Sequence, residues 1–354
     1  MSRWRSPRSL IQSGSIFTED CPFFEHYQLS KKCYPCPGTA VTYAQVYTQT
    51  YAPACPASYK RIQCRLLVSQ TPMAKIRHEM KYAFCNEMYV DWPFDKAFAH
   101  AAALGYTGVE IAPFTINSDG KTTNVFDIPP KQRASVRETA AAHGLEVIGL
   151  HWLLAKTQGL HLTSNAPATR KRTADYLSEL ARLCRDLGGW VMVFGSPPQR
   201  NLEQGVSYQQ GFDNAIEVFK ATVPVLEDCG VTIALEPLGP AEGDFMLTAE
   251  SGIELAKAID SQNVKLHLDV KAMSTESKPI PEIIRDSKDW LVHFHANDPN
   301  RLGPGMGDVD FAPIFESLKE IEYAGWVSVE VFDYAPGVDA LAGDSIRYLQ
   351  SING

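Results

Sequence analysis

The chain of 354 residues predicts an α/β fold: eight parallel strand–helix pairs closed into a (β/α)8 barrel, preceded by an irregular extension. From Met80 onward, short apolar and often β-branched runs alternate with longer amphipathic stretches, the pattern of successive βα units. Eight such pairs fit between residues 80 and 354, close to the ~250 residues usual for this barrel. A third observation disfavours the doubly wound open sheet. That fold would carry a glycine-rich phosphate turn after its first strand, and here the strand runs into Cys85-Asn86-Glu87-Met88.

The predicted strands are 81–86, 107–111, 145–151, 190–195, 231–236, 263–269, 291–296 and 326–331. Helices are predicted near 94–104, 130–143, 168–187, 207–229, 248–260, 278–288, 311–321 and 337–350. Gly105, Gly144 and Gly230 stand where helices should stop. Thr248, before Ala-Glu-Ser, stands where one should start.

Residues 1–79 follow other rules. They carry ten Lys/Arg against four Asp/Glu, a net of +6, so the remainder carries −14 of the chain's −8 total. Cys21, Cys33, Cys36, Cys55 and Cys64 lie in this leader, prolines such as Pro22, Pro35 and Pro53 interrupt it, and no helical or strand period is sustained. Cys33-Tyr34-Pro35-Cys36 has the spacing of a zinc or redox pair, but a zinc site would want a second close pair. A disordered or non-native extension is the favoured reading, and Met80-Lys-Tyr-Ala-Phe reads as a natural start. The barrel segment holds only Cys85, Cys184 and Cys229, which suits a reduced, cytoplasmic protein. No run approaches the ~20 apolar residues that span a bilayer, and the N-terminus lacks the apolar core of a secretory signal. The acidic barrel argues against a nucleic-acid partner.

Barrel chemistry sits at the C-terminal mouth, so polar residues ending apolar runs are the candidates. Strand five ends in Leu235-Glu236, strand six in Leu268-Asp269, strand seven carries His293-Phe294-His295, and strand eight ends in Val329-Glu330. Alternation sets Glu236, Asp269, His295 and Glu330 at comparable heights on four consecutive strands. A lone strand-end carboxylate commonly caps the next helix or pairs with an arginine, and a lone buried histidine is more often a core residue than a ligand. Four together are harder to obtain by accident, because each would cost several kcal/mol buried and unpaired. A shared divalent cation is the simplest way to tolerate them. Three hard oxygens and one nitrogen suit Mn²⁺, Mg²⁺ or Co²⁺. Other candidates at the mouth are Glu110, His151, Trp152, Ser196, Gln199, Glu242 and His267.

On these residues the chain resembles the xylose-isomerase-like TIM-barrel superfamily, closest in pattern to the D-tagatose and D-psicose 3-epimerases. The resemblance covers nearly all of 80–354. Its most specific parts are the His-x-His of strand seven, the run from His295 to Arg301 and Gly305-Met-Gly-Asp-Val-Asp-Phe. It implies a metal, Mn²⁺ first, held by Glu236, Asp269, His295 and Glu330. It implies substrate contacts from Glu242 and Arg301, six residues after the first and third ligands. One departure matters: the ketose epimerases place a substrate-binding His three residues after the Asp ligand, and Ala272 stands there. Lys271 beside it reads either as an alternative polar contact or as a solvated loop residue, the second being favoured.

The resemblance therefore implies a metal-dependent isomerase or epimerase of a small sugar or keto-sugar. Glu236 and Glu330 would be the acid–base pair, and the enzyme a possible homo-oligomer. His151, Trp152, Glu110 and His267 are carried as further substrate contacts. Rival readings are a dehydratase of a cyclic polyol ketone or a hydroxy-ketoacid isomerase on the same four ligands, an endonuclease IV-like nuclease, and a non-catalytic sugar-binding barrel. The nuclease would need extra His ligands, one of them where Ala272 stands, and a basic surface.

Overall fold

The computed structural model describes residues 80–116 and 124–353. The leader, its Cys33–Cys36 pair and the expected boundary after residue 79 lie outside the described residues.

Eight strands are found: β1 Lys81–Cys85, β2 Gly108–Ile111, β3 Glu146–Leu150, β4 Val191–Phe194, β5 Thr232–Leu235, β6 Val264–Asp269, β7 Leu291–Ala296 and β8 Trp326–Val329. They pair in parallel and in sequence order, and the barrel closes where Lys81 faces Trp326 and Phe84 faces Val329. Every predicted strand is present within a residue or two of its expected ends.

Helices cover the outside: α1 Phe94–Leu104, α2 Pro130–Ala142, α3 Pro167–Leu187, α4 Tyr208–Cys229, α5 Ala249–Ile259, α6 Val270–Met273, α7 Ile280–Asp286, α8 Ala312–Glu320 and α9 Val338–Asn353. Their ends follow local chemistry. Thr248 and Ser251 form a reciprocal capping box at the start of α5, which satisfies two backbone donors there. Gly105 and Gly230 close α1 and α4 in the left-handed conformation that glycine adopts without penalty. On α3, Leu177, Leu180, Ala181, Cys184 and Leu187 are buried, the three-and-four spacing of one apolar stripe. Each leucine so buried contributes about 1.5–3 kcal/mol. The short α6 was not expected from the sequence. It forms because Asp269, the last residue of β6, accepts a hydrogen bond from the Ala272 N–H at 2.8 Å.

Alternation divides each strand between two environments. Phe84 packs edge-on against Tyr89 and Tyr106. Its neighbour Ala83 joins Ile148 and Trp326 in a separate small cluster. The Trp326 ring occupies the space a Cβ would need at Gly108. Three imidazoles also pack together: His267 and His295 have ring centroids 4.1 Å apart, and His293 lies 5.3 Å from each. Neighbouring strands β6 and β7 thus give the barrel a polar interior.

Neighbouring strands approach closely at Gly149, where a Cβ would lie 2.1 Å from the carbonyl oxygen of Val191, its own register partner on β4. Relief requires pulling that ladder apart. Gly149→Ala should lower the free energy of urea unfolding by about 3 kcal/mol, at the upper end of usual overpacking costs. Gly144→Ala, whose Cβ would meet nothing within 4 Å but whose φ is +73°, should cost about 1 kcal/mol. Equal midpoints for the two variants would show that the β3–β4 contact is not the constraint described.

Candidate metal centre

Strands five to eight bring the four expected strand-end residues to one place. Asp269 and His295 are register partners, as are Ala296 and Val329, which sets Glu330 beside them. Glu236, Asp269 and His295, together with His267, offer donor atoms within 4.8 Å of one another. Glu330 Oε2 lies 3.0 Å from His295 Nδ1. All of them are buried.

The backbone around Glu236 is tightly held. The buried Arg200 donates through Nη1 to the Glu236 carbonyl and through Nη2 to the Met246 carbonyl at 3.1 Å. Glu236 Oε2 sits where Gly195 would carry a Cβ, 2.1 Å from that position, so the residue after β4 must be glycine for the carboxylate to point where it does. Asp269 is fixed by two donors, the Ala272 N–H and Asn297 Nδ2 at 2.5 Å. Asn297 Oδ1 in turn accepts from the Lys271 N–H at 2.9 Å.

The electrostatics show what the cluster lacks. Burial, then Glu330 and Asp269, push the Glu236 carboxyl well above its usual range. Burial, then Glu330, push Asp269 up to about 6. Burial acts to raise Glu330, but His295, His151 and the Trp152 N–H together hold it below its usual range. His295 is raised, against burial, by Glu110, Cys85 and Glu330. Three carboxylates thus compete for one imidazolium. A divalent cation would supply positive charge here, and three oxygens with one nitrogen suit a hard or borderline ion.

A cavity of about 390 Å³ opens above this cluster, within the range of small-molecule sites. Glu236 and Glu330 both line it, with His151, Trp152, Ser196, Gln199 and Glu242 from the expected set, and with Phe332. Trp152 Nε1 donates to Glu330 Oε1 at 2.9 Å, and its ring stacks on Phe332 at 6.3 Å. Trp152 and Ser196, just beyond β3 and β4, both have positive φ, 51° and 46°. Such strained conformations persist only where the surroundings enforce them.

Three expected contacts fall elsewhere. Glu110 and His267 lie outside the cavity wall, buried among the barrel's imidazoles. Glu110 faces His293 Nε2 at 2.6 Å and His295 Nε2 at 3.1 Å, and these histidines hold it well below the usual carboxylate range despite its burial. His267 Nε2 lies 3.9 Å from Glu236 Oε1, and burial followed by His295 and His293 keeps its pKa well down. Arg301 is exposed, and its Nη2 donates to the Phe332 carbonyl at 3.1 Å. Lys271, expected to be solvated, is largely shielded. Its Nζ donates to Glu242 Oε2 at 2.7 Å and lies 4.7 Å from the Phe332 ring centroid.

Sequence reasoning assigned no role to Glu87, which contacts His151 Nε2 at 2.5 Å, nor to Cys85, His293, Asn297 or Arg200. For Glu87 and Cys85 a signal existed: both stand at the end of an apolar strand, the criterion that found the other four.

A probable ketose 3-epimerase of Synechocystis is 27% identical over 282 residues, spanning 75% of this chain and 90% of its own. The D-psicose 3-epimerase of Ruminiclostridium cellulolyticum is 28% identical over 286 residues, spanning 78% and 90%. A crystal structure of a D-psicose 3-epimerase in the presence of D-fructose superposes with a TM-score of 0.67 at 20% identity, covering 78% of this chain and 100% of its own. At that identity the likeness speaks for the fold alone. Residues 98–352 match the family described as xylose isomerase-like TIM barrel. With a closed eight-stranded barrel and its acidic, histidine-bearing mouth in view, the chain belongs to the xylose isomerase-like TIM-barrel family.

Proposed function

We propose that the protein is a divalent-metal-dependent isomerase or epimerase of a small keto-sugar, moving a proton at a carbon beside the carbonyl through an enediolate. The observation that carries this is that Glu236 and Glu330, which follow β5 and β8, line one cavity from different sides of the mouth. Proton transfer of this kind needs a base on one face of the carbon and an acid on the other. Similarity to two ketose 3-epimerases over nine-tenths of their lengths supports the substrate class.

Glu236, Asp269, His295 and Glu330 would hold the cation, for which Mn²⁺ is our first choice and Mg²⁺ or Co²⁺ would also serve. Once bound, it stabilises negative charge on the substrate's oxygens. The chain's own groups do the rest. The Trp152 N–H fixes Glu330, leaving its carboxylate one orientation toward the cavity. Trp152 and Phe332 form an apolar wall for one sugar face. Glu242, held by Lys271, accepts a substrate hydroxyl, with Ser196 and Gln199 nearby. Cys85, Cys184 and Cys229 are unpaired, which suits a reducing compartment such as the cytoplasm. No helix among the described residues is long and apolar enough to cross a membrane. The barrel's net charge of −14 sets the reading apart from a nuclease.

His295 is the nitrogen of the proposed donor set. His295→Ala should weaken metal binding by more than the about 10–100-fold that loss of an outer partner costs, read as metal content of the folded protein. Unchanged stoichiometry and affinity would rule out the ligand set.

Replacing Glu236 or Glu330 with Gln keeps the shape of the side chain and removes the base. Each variant should lose about 10²-fold or more in turnover, the usual contribution of a general acid or base, while some metal remains bound. Wild-type protein loaded with Mn²⁺ and screened over free ketoses and inososes in D₂O should wash deuterium into substrate carbon, read by NMR. Full activity in either Gln variant would remove the mechanism. So would turnover in which a substrate deuterated at the reacting carbon keeps its label, because that marks a hydride shift or an internal shuttle.

A further inference from the structure

The ends of β1 and β3 carry a second cluster that the proposed proton transfer does not use. Cys85 closes β1, Glu87 lies in the single 3-10 turn Asn86–Met88, and His151 follows β3. The Cys85 sulfur, one carboxylate oxygen each from Glu87 and Glu330 and one His151 ring nitrogen lie within 4.8 Å of one another, and all four residues are buried. The turn is pinned in place. Asn86 Oδ1 accepts from the Ala112 N–H at 2.7 Å, and Asn86 Nδ2 donates to Thr115 Oγ1 at 2.9 Å. Glu87 is therefore held with its carboxylate inside the barrel mouth rather than in water.

Hydrogen bonding accounts for only part of this arrangement. One proton shared at the 2.5 Å contact satisfies Glu87 Oε2 and His151 Nε2. Glu87 Oε1 and His151 Nδ1 are shielded from solvent and meet no hydrogen-bond partner. Buried polar atoms are seldom left in that state, and each exception calls for an explanation. Glu87 and Glu330 share the pocket with His151, and Glu330 meets His295 as well.

We propose that Cys85, Glu87 and His151, with Glu330 as a carboxylate shared between neighbours, form a second divalent-cation site beside the first. One sulfur, one nitrogen and two oxygens make a borderline-soft set that suits Zn²⁺ or Co²⁺ and disfavours Mg²⁺. The first site, richer in oxygen and without sulfur, accepts Mn²⁺ and Mg²⁺ as well as Co²⁺. Tetrahedral bonds of the usual lengths put donor atoms about 3.3–3.8 Å apart. The wider pairs must close by about 1 Å, and Glu87 and His151 must part by a similar amount as the cation replaces their shared proton. That proton and the thiol proton leave to water. The site stands on the positions of these four side chains and not on the sugar chemistry.

Co²⁺ is the probe, because a thiolate bound to it gives a near-ultraviolet charge-transfer band. The full chain, stripped with chelator and then saturated with Co²⁺, is measured for bound metal after desalting and for that band. Cys85→Ser should remove one equivalent of metal and the part of the band due to Cys85. Glu87→Gln, which leaves every thiol in place, should also remove one equivalent. Asp269→Asn should lose metal from the first site and keep the Cys85 band. Because five other cysteines lie in residues 1–79, the difference between wild type and Cys85→Ser decides the matter. A Cys85→Ser chain with wild-type metal and band, or a Glu87→Gln chain with wild-type metal, overturns the proposal.

Discussion

Glu110 projects from β2 into the barrel and meets His293 and His295 of β7, so a single buried carboxylate orders the polar groups above it. A buried carboxylate must find partners among its neighbours, and the two imidazoles face it at 2.6 and 3.1 Å. The cost of burial is then shared across the barrel rather than borne by one strand. His295 has its Nε2 toward Glu110, which turns Nδ1 toward Glu330. A carboxylate behind a histidine is the arrangement that fixes ring orientation and raises basicity in metal sites generally. The geometry at the mouth therefore depends on a residue that never reaches the cavity.

The same logic explains what could be read from the sequence and what could not. All eight strands were legible because each is a short apolar run bounded by turn residues, and periodicity survives even where neighbouring helices vary. Glu236, Asp269, His295 and Glu330 were legible because a charged residue closing an apolar run has to be explained. Height along the strand was not legible for Glu110 and His267. Both lie within strands, and the barrel's tilt and the register shifts at Val109/Glu110 and Leu266/His267 decide which layer they occupy. Lys271 was misread for a different reason. A lysine after a strand is usually solvated, but α6 turns immediately at Asp269 and folds Lys271 over Glu242. Arg200 left no pattern at all: its role is to tie two backbone carbonyls, and nothing local marks a residue that bonds to the main chain of distant segments.

Close packing and chemistry are linked in this molecule. Gly195 leaves room for the Glu236 carboxylate, and positive φ at Trp152 and Ser196 aims the residues after β3 and β4 into the cavity. Each is a local departure from the easiest backbone or side-chain choice, and all cluster where the barrel opens. Such departures are expected at functional positions, where consistency between local preference and global fold gives way. The interior beneath them, with its closely packed imidazoles and the ring of Trp326, supplies the rigidity that lets them persist.

The pairing of β1 with β8 has a consequence for how the protein is made. Lys81 and Trp326 are partners in the ladder, so the first strand to leave the ribosome waits for the last before its edge is covered. Exposed parallel edges are slow to satisfy and prone to stray association. In the interval Cys85 and Glu87 lack their eventual neighbour Glu330, and every residue from Glu236 onward has yet to take its place. The ring and its acidic mouth can therefore be completed only once Trp326–Val329 has been made.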